Sequence, residues 1–166
     1  MKIKGKVWKF GDGISTDHIA PGRLFHLRSN LPELAKHCLE DARPEFASKV
    51  QPGDFVVGGK NFGQGSSREH APTVIKLCGV GAVLAKSFAR IFFRNCVNVG
   101  LPALIVDTDS LNEGDELEVD LESGLITNLT TGETLTAPAL PPVMRTIIAD
   151  GGMVEHVKKH GGLKID

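Results

Sequence analysis

The chain has 166 residues, 41% of them hydrophobic and 23% charged, with 19 basic residues against 20 acidic ones and a formal net charge of −1. That mixture carries no basic stripe and argues against a nucleic-acid partner. No apolar run approaches the roughly 18 residues that a membrane span needs, and the early lysines lead into no signal-type apolar region, so a cytoplasmic protein is expected.

Ile3 to Phe10 alternates and is rich in strand formers, which predicts a strand. Gly11 to Gly22 reads as a polar loop carrying Asp17 and His18. Leu31 to Asp41 has near-helical apolar spacing, with Asn30 to start a helix and Pro44 to stop it. A short helix through Phe46 and Val50 follows. Asp54 to Gly59 reads as a buried strand, Ala71 to Leu77 as a helix, and Ala82 to Ala85 as a strand. Ala89 to about Val97 predicts another helix and Ala103 to Val106 another strand. This alternation implies a partly parallel sheet covered by helices. Beyond it, Asp115 to Leu121, Leu125 to Leu129 and Glu133 to Ala137 alternate between turns at Ser123-Gly124 and Thr131-Gly132. They predict a C-terminal antiparallel meander with one wet face. After the breaker Pro138 to Pro142, helices are expected over Val143 to Asp150 and Met153 to Lys159, parted by Gly151 and Gly152. The whole, residues 1–166, reads as one α/β domain of β/β/α type.

The segment Asn61-Phe62-Gly63-Gln64-Gly65-Ser66-Ser67-Arg68-Glu69-His70-Ala71 lies between a predicted strand and a predicted helix. Gly63 and Gly65 allow close backbone approach to a ligand. Free N–H groups at a helix start and the Arg68 guanidinium favour an anion, a carboxylate or a phosphate. A Walker loop would need Gly-Lys-Ser/Thr, and no lysine stands here. A dinucleotide fingerprint would need a third small residue where Arg68 stands, and an acid at the end of the next strand, where Lys86 is found. An ordinary capped helix, with Ser66 or Ser67 as the cap, remains open at this level.

Gly-Ser-Ser-Arg-Glu-His-Ala closely resembles the active-site loop of the aconitase superfamily. Ser15-Thr16-Asp17-His18-Ile19-Ala20-Pro21-Gly22-Arg23 and Lys86-Ser87-Phe88-Ala89-Arg90-Ile91-Phe92-Phe93-Arg94-Asn95 resemble two further segments of that superfamily, in the same order. The match spans essentially the whole chain and is to the small subunits of 3-isopropylmalate dehydratase and homoaconitase enzymes, equivalent to aconitase's swivelling domain. The resemblance implies a hydro-lyase that removes and re-adds water on a hydroxy di- or tricarboxylic acid. It also implies a large subunit as partner, carrying the [4Fe-4S] cluster. Cys38, Cys78 and Cys96 are isolated, without a C-x-x-C pair, and read as small buried hydrophobes. A cluster must therefore be held by another polypeptide, and no metal ligand is expected in this chain.

By the same resemblance, Ser66 is the base in its ionised form, and Ser67 and Arg68 bind the substrate carboxylate, with Gly63 and Gly65 shaping the loop around it. Asp17 is a partner for active-site histidines or bound water. Arg28 lies in the loop that meets the substituent by which substrates differ; arginine there fits a third carboxylate, and an apolar residue fits an isopropyl group. His26, His37, His70, His156 and His160 are expected to be structural or exposed. The readings that compete are a related hydro-lyase acting on dimethylmalate or citraconate, a non-catalytic carboxylate-binding module, and a structural subunit whose loop only caps a helix.

Overall fold

The computed structural model describes residues 2–65 and 70–163. Seven strands form one sheet in the order β4-β3-β2-β1-β5-β6-β7. They are β1 Lys2–Lys9, β2 Phe55–Val57, β3 Ala82–Ala85, β4 Ala103–Ile105, β5 Glu116–Asp120, β6 Leu125–Asn128 and β7 Thr134–Thr136. The helices are α1 Thr16–Ile19, α2 Leu31–Ala35, α3 Phe46–Lys49, α4 His70–Leu77, α5 Arg90–Val99, α6 Pro142–Ala149 and α7 Met153–His160. Both the partly parallel sheet and the C-terminal meander expected from the sequence are present.

Strand β1 is the seam of the sheet. Its second half, Val7 to Lys9, pairs parallel with Phe55 to Val57, while Lys2 to Lys6 pairs antiparallel with Glu116 to Asp120. The first half therefore belongs to the meander and the second to the parallel layer. In the parallel layer the strands are buried on both faces. Val56 and Val83 pack into a core beneath α1, α2, α4 and α5, whereas Phe55, Val57, Ala82 and Leu84 pack into a second core with the meander and α6. Burying such side chains contributes about 1.5–3 kcal/mol each, which explains runs of apolar residues without alternation. In β5, Leu117 and Val119 are buried while Glu116 and Glu118 reach out to Lys4 and Lys2. The meander therefore has its one wet face.

Three local departures from the sequence reading have identifiable causes. The expected helix Leu31 to Asp41 stops at Ala35, and turns follow. The Leu39 N–H donates to the carbonyl of Ile19 at 3.2 Å, and Leu39 adopts a φ of 58°. Burial of Cys38 and Leu39 against α1 is favoured over continuing the helical ladder. The expected loop Gly11 to Gly22 contains α1, because Ser15 accepts the His18 N–H and the His18 ring accepts the Ser15 N–H at 2.9 Å. This is a capping box with histidine in the place usually held by Glu or Gln. A 3-10 segment at Gly22–Ser29 also escaped the sequence reading. Leu24 and Leu27, three apart, turn toward the first core, matching the three-residue period of that helix.

Asp54 anchors the start of β2. Its carboxylate is buried and accepts from the Lys6 N–H at 3.0 Å, the Trp8 indole Nε1 at 3.0 Å and the Gln51 N–H at 2.9 Å. Asp54→Ala leaves all three donors unpaired beside the β1–β2 pairing. It is expected to destabilise the fold by about 3 kcal/mol, read as a lower urea midpoint at unchanged m. A midpoint within error of the wild type would show that water replaces the carboxylate.

Candidate active-site loop

The glycine loop leaves β2 and is held on both sides by the two other motif segments. On one side, the Gly63 N–H donates to the carbonyl of Ile14 at 2.7 Å and the Thr16 N–H donates to that of Gln64 at 2.8 Å, forming a parallel bridge between Ser15 and Gln64. The Gln64 side-chain amide adds a bond to the carbonyl of Gly13 at 3.2 Å. On the other side, the Phe62 N–H donates to the carbonyl of Ser87 at 3.0 Å and the Ala89 N–H donates to that of Phe62 at 2.9 Å. The Ser87 hydroxyl also accepts the Asn61 N–H at 2.8 Å. Segments 48 and 25 residues away along the chain are thus laced to the same four residues, Asn61 to Gln64.

Beneath the loop lies an aromatic layer. Phe62 is fully buried, its ring 5.5 Å from Phe92 and 6.0 Å from Phe88 in edge-on geometry. Phe88 in turn contacts Phe93 at 5.6 Å. Gly63 runs directly over this layer at a φ of 84°, and a Cβ there would stand 2.1 Å from Cγ of Phe92. Gly65 has a φ of 109° and faces Thr16. Both glycines are thus required by backbone conformation, and Gly63 by space as well.

Asp17 lies in the first turn of α1, two residues past the Ser15–Gln64 bridge, and is exposed. Its Oδ1 accepts the Gly22 N–H at 2.8 Å, which closes the turn into the 3-10 segment. His18 is occupied by the capping box through its Nδ1. Arg28 is exposed and folds back on its own turn, its guanidinium 4.3 Å from the centre of the Phe25 ring and bonded to the Phe25 carbonyl at 3.3 Å. Gly63, Gly65 and Asp17 are therefore brought together, while Arg28 stands further along the exposed segment that leaves Asp17. Ser66, Ser67 and Arg68 lie outside the described residues.

The sequence reading missed how the loop is fastened. Ser15, Gln64, Ser87 and the Phe88/Phe92 pair carry that task, and only the spacing of the two phenylalanines, one helical turn apart, hinted at it. The cysteines also differ from expectation in one respect. Cys38 and Cys78 are not isolated in space: the two thiols lie close enough to shift each other's ionisation, and the Cys78 thiol reaches the Ala35 carbonyl at 3.4 Å. Burial pushes the Cys38 and Cys96 thiols well up, so both stay protonated and are poor metal ligands. Among the described residues, no cysteine set fits an iron–sulfur cluster.

A sequence profile of the aconitase C-terminal domain matches residues 29–108. The chain is 64% identical over 165 residues to the 3-isopropylmalate dehydratase small subunit 2 of Archaeoglobus fulgidus, covering 99% of this chain and 100% of that protein. The chain belongs to the 3-isopropylmalate dehydratase small-subunit family, within the aconitase superfamily. Another such small subunit, from Thermotoga maritima, is 60% identical over 96% of both chains. The crystal structure of a 3-isopropylmalate dehydratase chain from Methanocaldococcus jannaschii superimposes with a TM-score of 0.92 at 45% identity, covering 97% of this chain and 96% of that one. That solved chain therefore shares the fold described here. No helix among the described residues is long and apolar enough to cross a membrane.

Proposed function

We propose that this chain is the small subunit of a 3-isopropylmalate dehydratase-type hydro-lyase, and that it supplies the proton-transfer and carboxylate-binding half of the active site. The observation that carries this reading is the lacing of the Ser15–Thr16 and Ser87–Ala89 segments to Asn61–Gln64, which gathers two remote motifs at the glycine loop. A loop that served only to cap a helix would have no need of ties on both flanks.

In this reading Ser66 removes the proton from the carbon next to a substrate carboxylate. Negative charge then spreads onto the carboxylate oxygens, where Arg68 and the Ser67 hydroxyl oppose it. An ionised serine is costly, and it demands a positive guanidinium nearby and exclusion of water. Asp17 orients a histidine or water of the completed site. The [4Fe-4S] cluster belongs to the large subunit and supplies the Lewis acid for the departing hydroxyl. The site is therefore complete only in the two-subunit enzyme, in which the whole small chain moves as one swivelling unit. Mixing the chain with its large subunit is expected to produce turnover of isopropylmalate that neither protein has alone. Micromolar binding of a dicarboxylate by this chain in isolation, with no complex and no turnover, would instead make it a binding module.

Arg28 sets the choice of substituent in this reading. Its head group lies at the surface, stacked on Phe25, where an exposed guanidinium can pair a substrate carboxylate. Arg28→Val in the reconstituted enzyme is expected to shift the ratio of kcat/KM values toward isopropylmalate and away from homoaconitate by about 10–100-fold. An unchanged ratio would remove Arg28 from specificity.

A further inference from the structure

Far along the chain from the glycine loop, α6 ends and α7 begins at a glycine corner. Asp150 forms the C-cap of α6, Gly152 the N-cap of α7, and His156 and His160 follow on α7, four residues apart and so on one helical face. The corner is set firmly: the Lys76 ammonium of α4 donates to the carbonyls of Val99 at 2.7 Å and Gly151 at 3.0 Å. The His156 side chain is fully buried, that of Asp150 is 7% exposed, and that of His160 is 21% exposed. His156 Nδ1 lies 2.8 Å and His160 Nε2 3.0 Å from the same oxygen, Oδ2 of Asp150. The two rings are 4.7 Å apart between centres.

Two imidazole nitrogens and a carboxylate oxygen, all within 4.8 Å of one another, form a compact mixed-donor set. Ligands at about 2.05 Å from a tetrahedral zinc ion stand about 3.3 Å apart. The two nitrogen-to-oxygen edges are already within a few tenths of an ångström of that value. The remaining nitrogen-to-nitrogen edge is no longer than 4.8 Å, and His160 is the ring nearer solvent. From this arrangement we infer that Asp150, His156 and His160 form a binding site for a divalent transition ion of the zinc type, with water completing the coordination. Nitrogen-rich donor sets with one carboxylate suit zinc, cobalt and nickel and disfavour magnesium and calcium. A carboxylate is anionic at neutral pH, so Asp150 brings a charged oxygen donor to the set. Lys159 sits on the other carboxylate oxygen, Oδ1, at 3.2 Å. Lys159 therefore does not compete for Oδ2, where an ion would replace the protons now shared with the two histidines, and the ammonium would be an outer partner of the bound carboxylate. The bound ion would clamp α7 to the end of α6, a role independent of the hydro-lyase reading.

The test is titration of the full-length chain with cobalt(II) followed by displacement with zinc(II). One cobalt ion per chain is expected, with the visible ligand-field absorption of a low-symmetry nitrogen–oxygen site. Asp150→Asn and His160→Gln are each expected to weaken cobalt binding by about 100-fold or more, and zinc is expected to raise the melting temperature of the wild type but not of His160→Gln. His160 reaches solvent, so its variant folds even if one at buried His156 does not. Wild-type affinity no greater than that of Asp150→Asn and His160→Gln would overturn the site. Thiolate charge-transfer bands, placing the ion on the cysteines, would overturn it equally.

Discussion

Ser66→Ala, assayed in the reconstituted two-subunit enzyme, is expected to lower kcat by about 10²–10⁴-fold, the range that a positioned acid–base group contributes. Complex formation and far-UV dichroism should be unchanged, because alanine removes a hydroxyl and adds no bulk. The magnitude separates the two roles open to this serine. A helix cap is worth about 1 kcal/mol of stability; its loss lowers the melting temperature by a few degrees and leaves turnover within a few-fold of normal. Arg68→Ala gives a second axis, since a carboxylate clamp that acts before the chemical step raises KM as well as lowering kcat. Normal turnover by Ser66→Ala would reduce the hydroxyl to a cap and leave the proton transfer to another group.

Gly63→Ala is expected to be the most damaging small substitution in the loop. The φ of 84° costs a side chain about 1–2 kcal/mol. The new Cβ at 2.1 Å from Cγ of Phe92 must also displace a buried ring, at about 1–3 kcal/mol more. A combined loss of about 2–5 kcal/mol is a large share of the roughly 5–15 kcal/mol that holds a domain folded. Thermal unfolding should fall by roughly 5–15 °C. Activity should fall further than the folded fraction does, because Ser66 follows only three residues later. Gly65→Ala is the matched control. Its φ of 109° is also adverse, but its Cβ would stand 3.1 Å from the Thr16 hydroxyl, a far smaller overlap than the 2.1 Å approach to Phe92 at Gly63. Gly63→Ala should therefore unfold at a lower temperature than Gly65→Ala, and the reverse order would show that the contact with Phe92 does not hold the loop.

The elements that could be read from the sequence are those whose cause lies within a turn or a strand. Ala82–Ala85 is a strand because four consecutive apolar residues are buried on both faces of the sheet. The strand containing Leu117 and Val119 is legible because charges alternate with them. Helix α5 ends where Gly100 takes the left-handed conformation that closes a helix. The glycine loop was legible for the same reason, since Gly63 and Gly65 mark backbone positions that other residues resist.

What tertiary structure decided is every feature that depends on a donor finding a distant acceptor. The Leu39 N–H leaves its helix for the carbonyl of Ile19, so periodicity alone overstates α2. Cys38 meets Cys78, and His156 meets Asp150 at 2.8 Å beside His160, although each looks unremarkable in its own stretch of chain. Sequence by itself determined the kinds of element, the family and the residues of the glycine loop, because propensity and steric permission act locally. Only the folded sheet, with β1 shared between a parallel and an antiparallel neighbour, decided that residues 13–16 and 87–89 flank that loop. Backbone hydrogen bonds are short and directional, and which ones form across 25 or 48 residues is set by the packing of the whole chain.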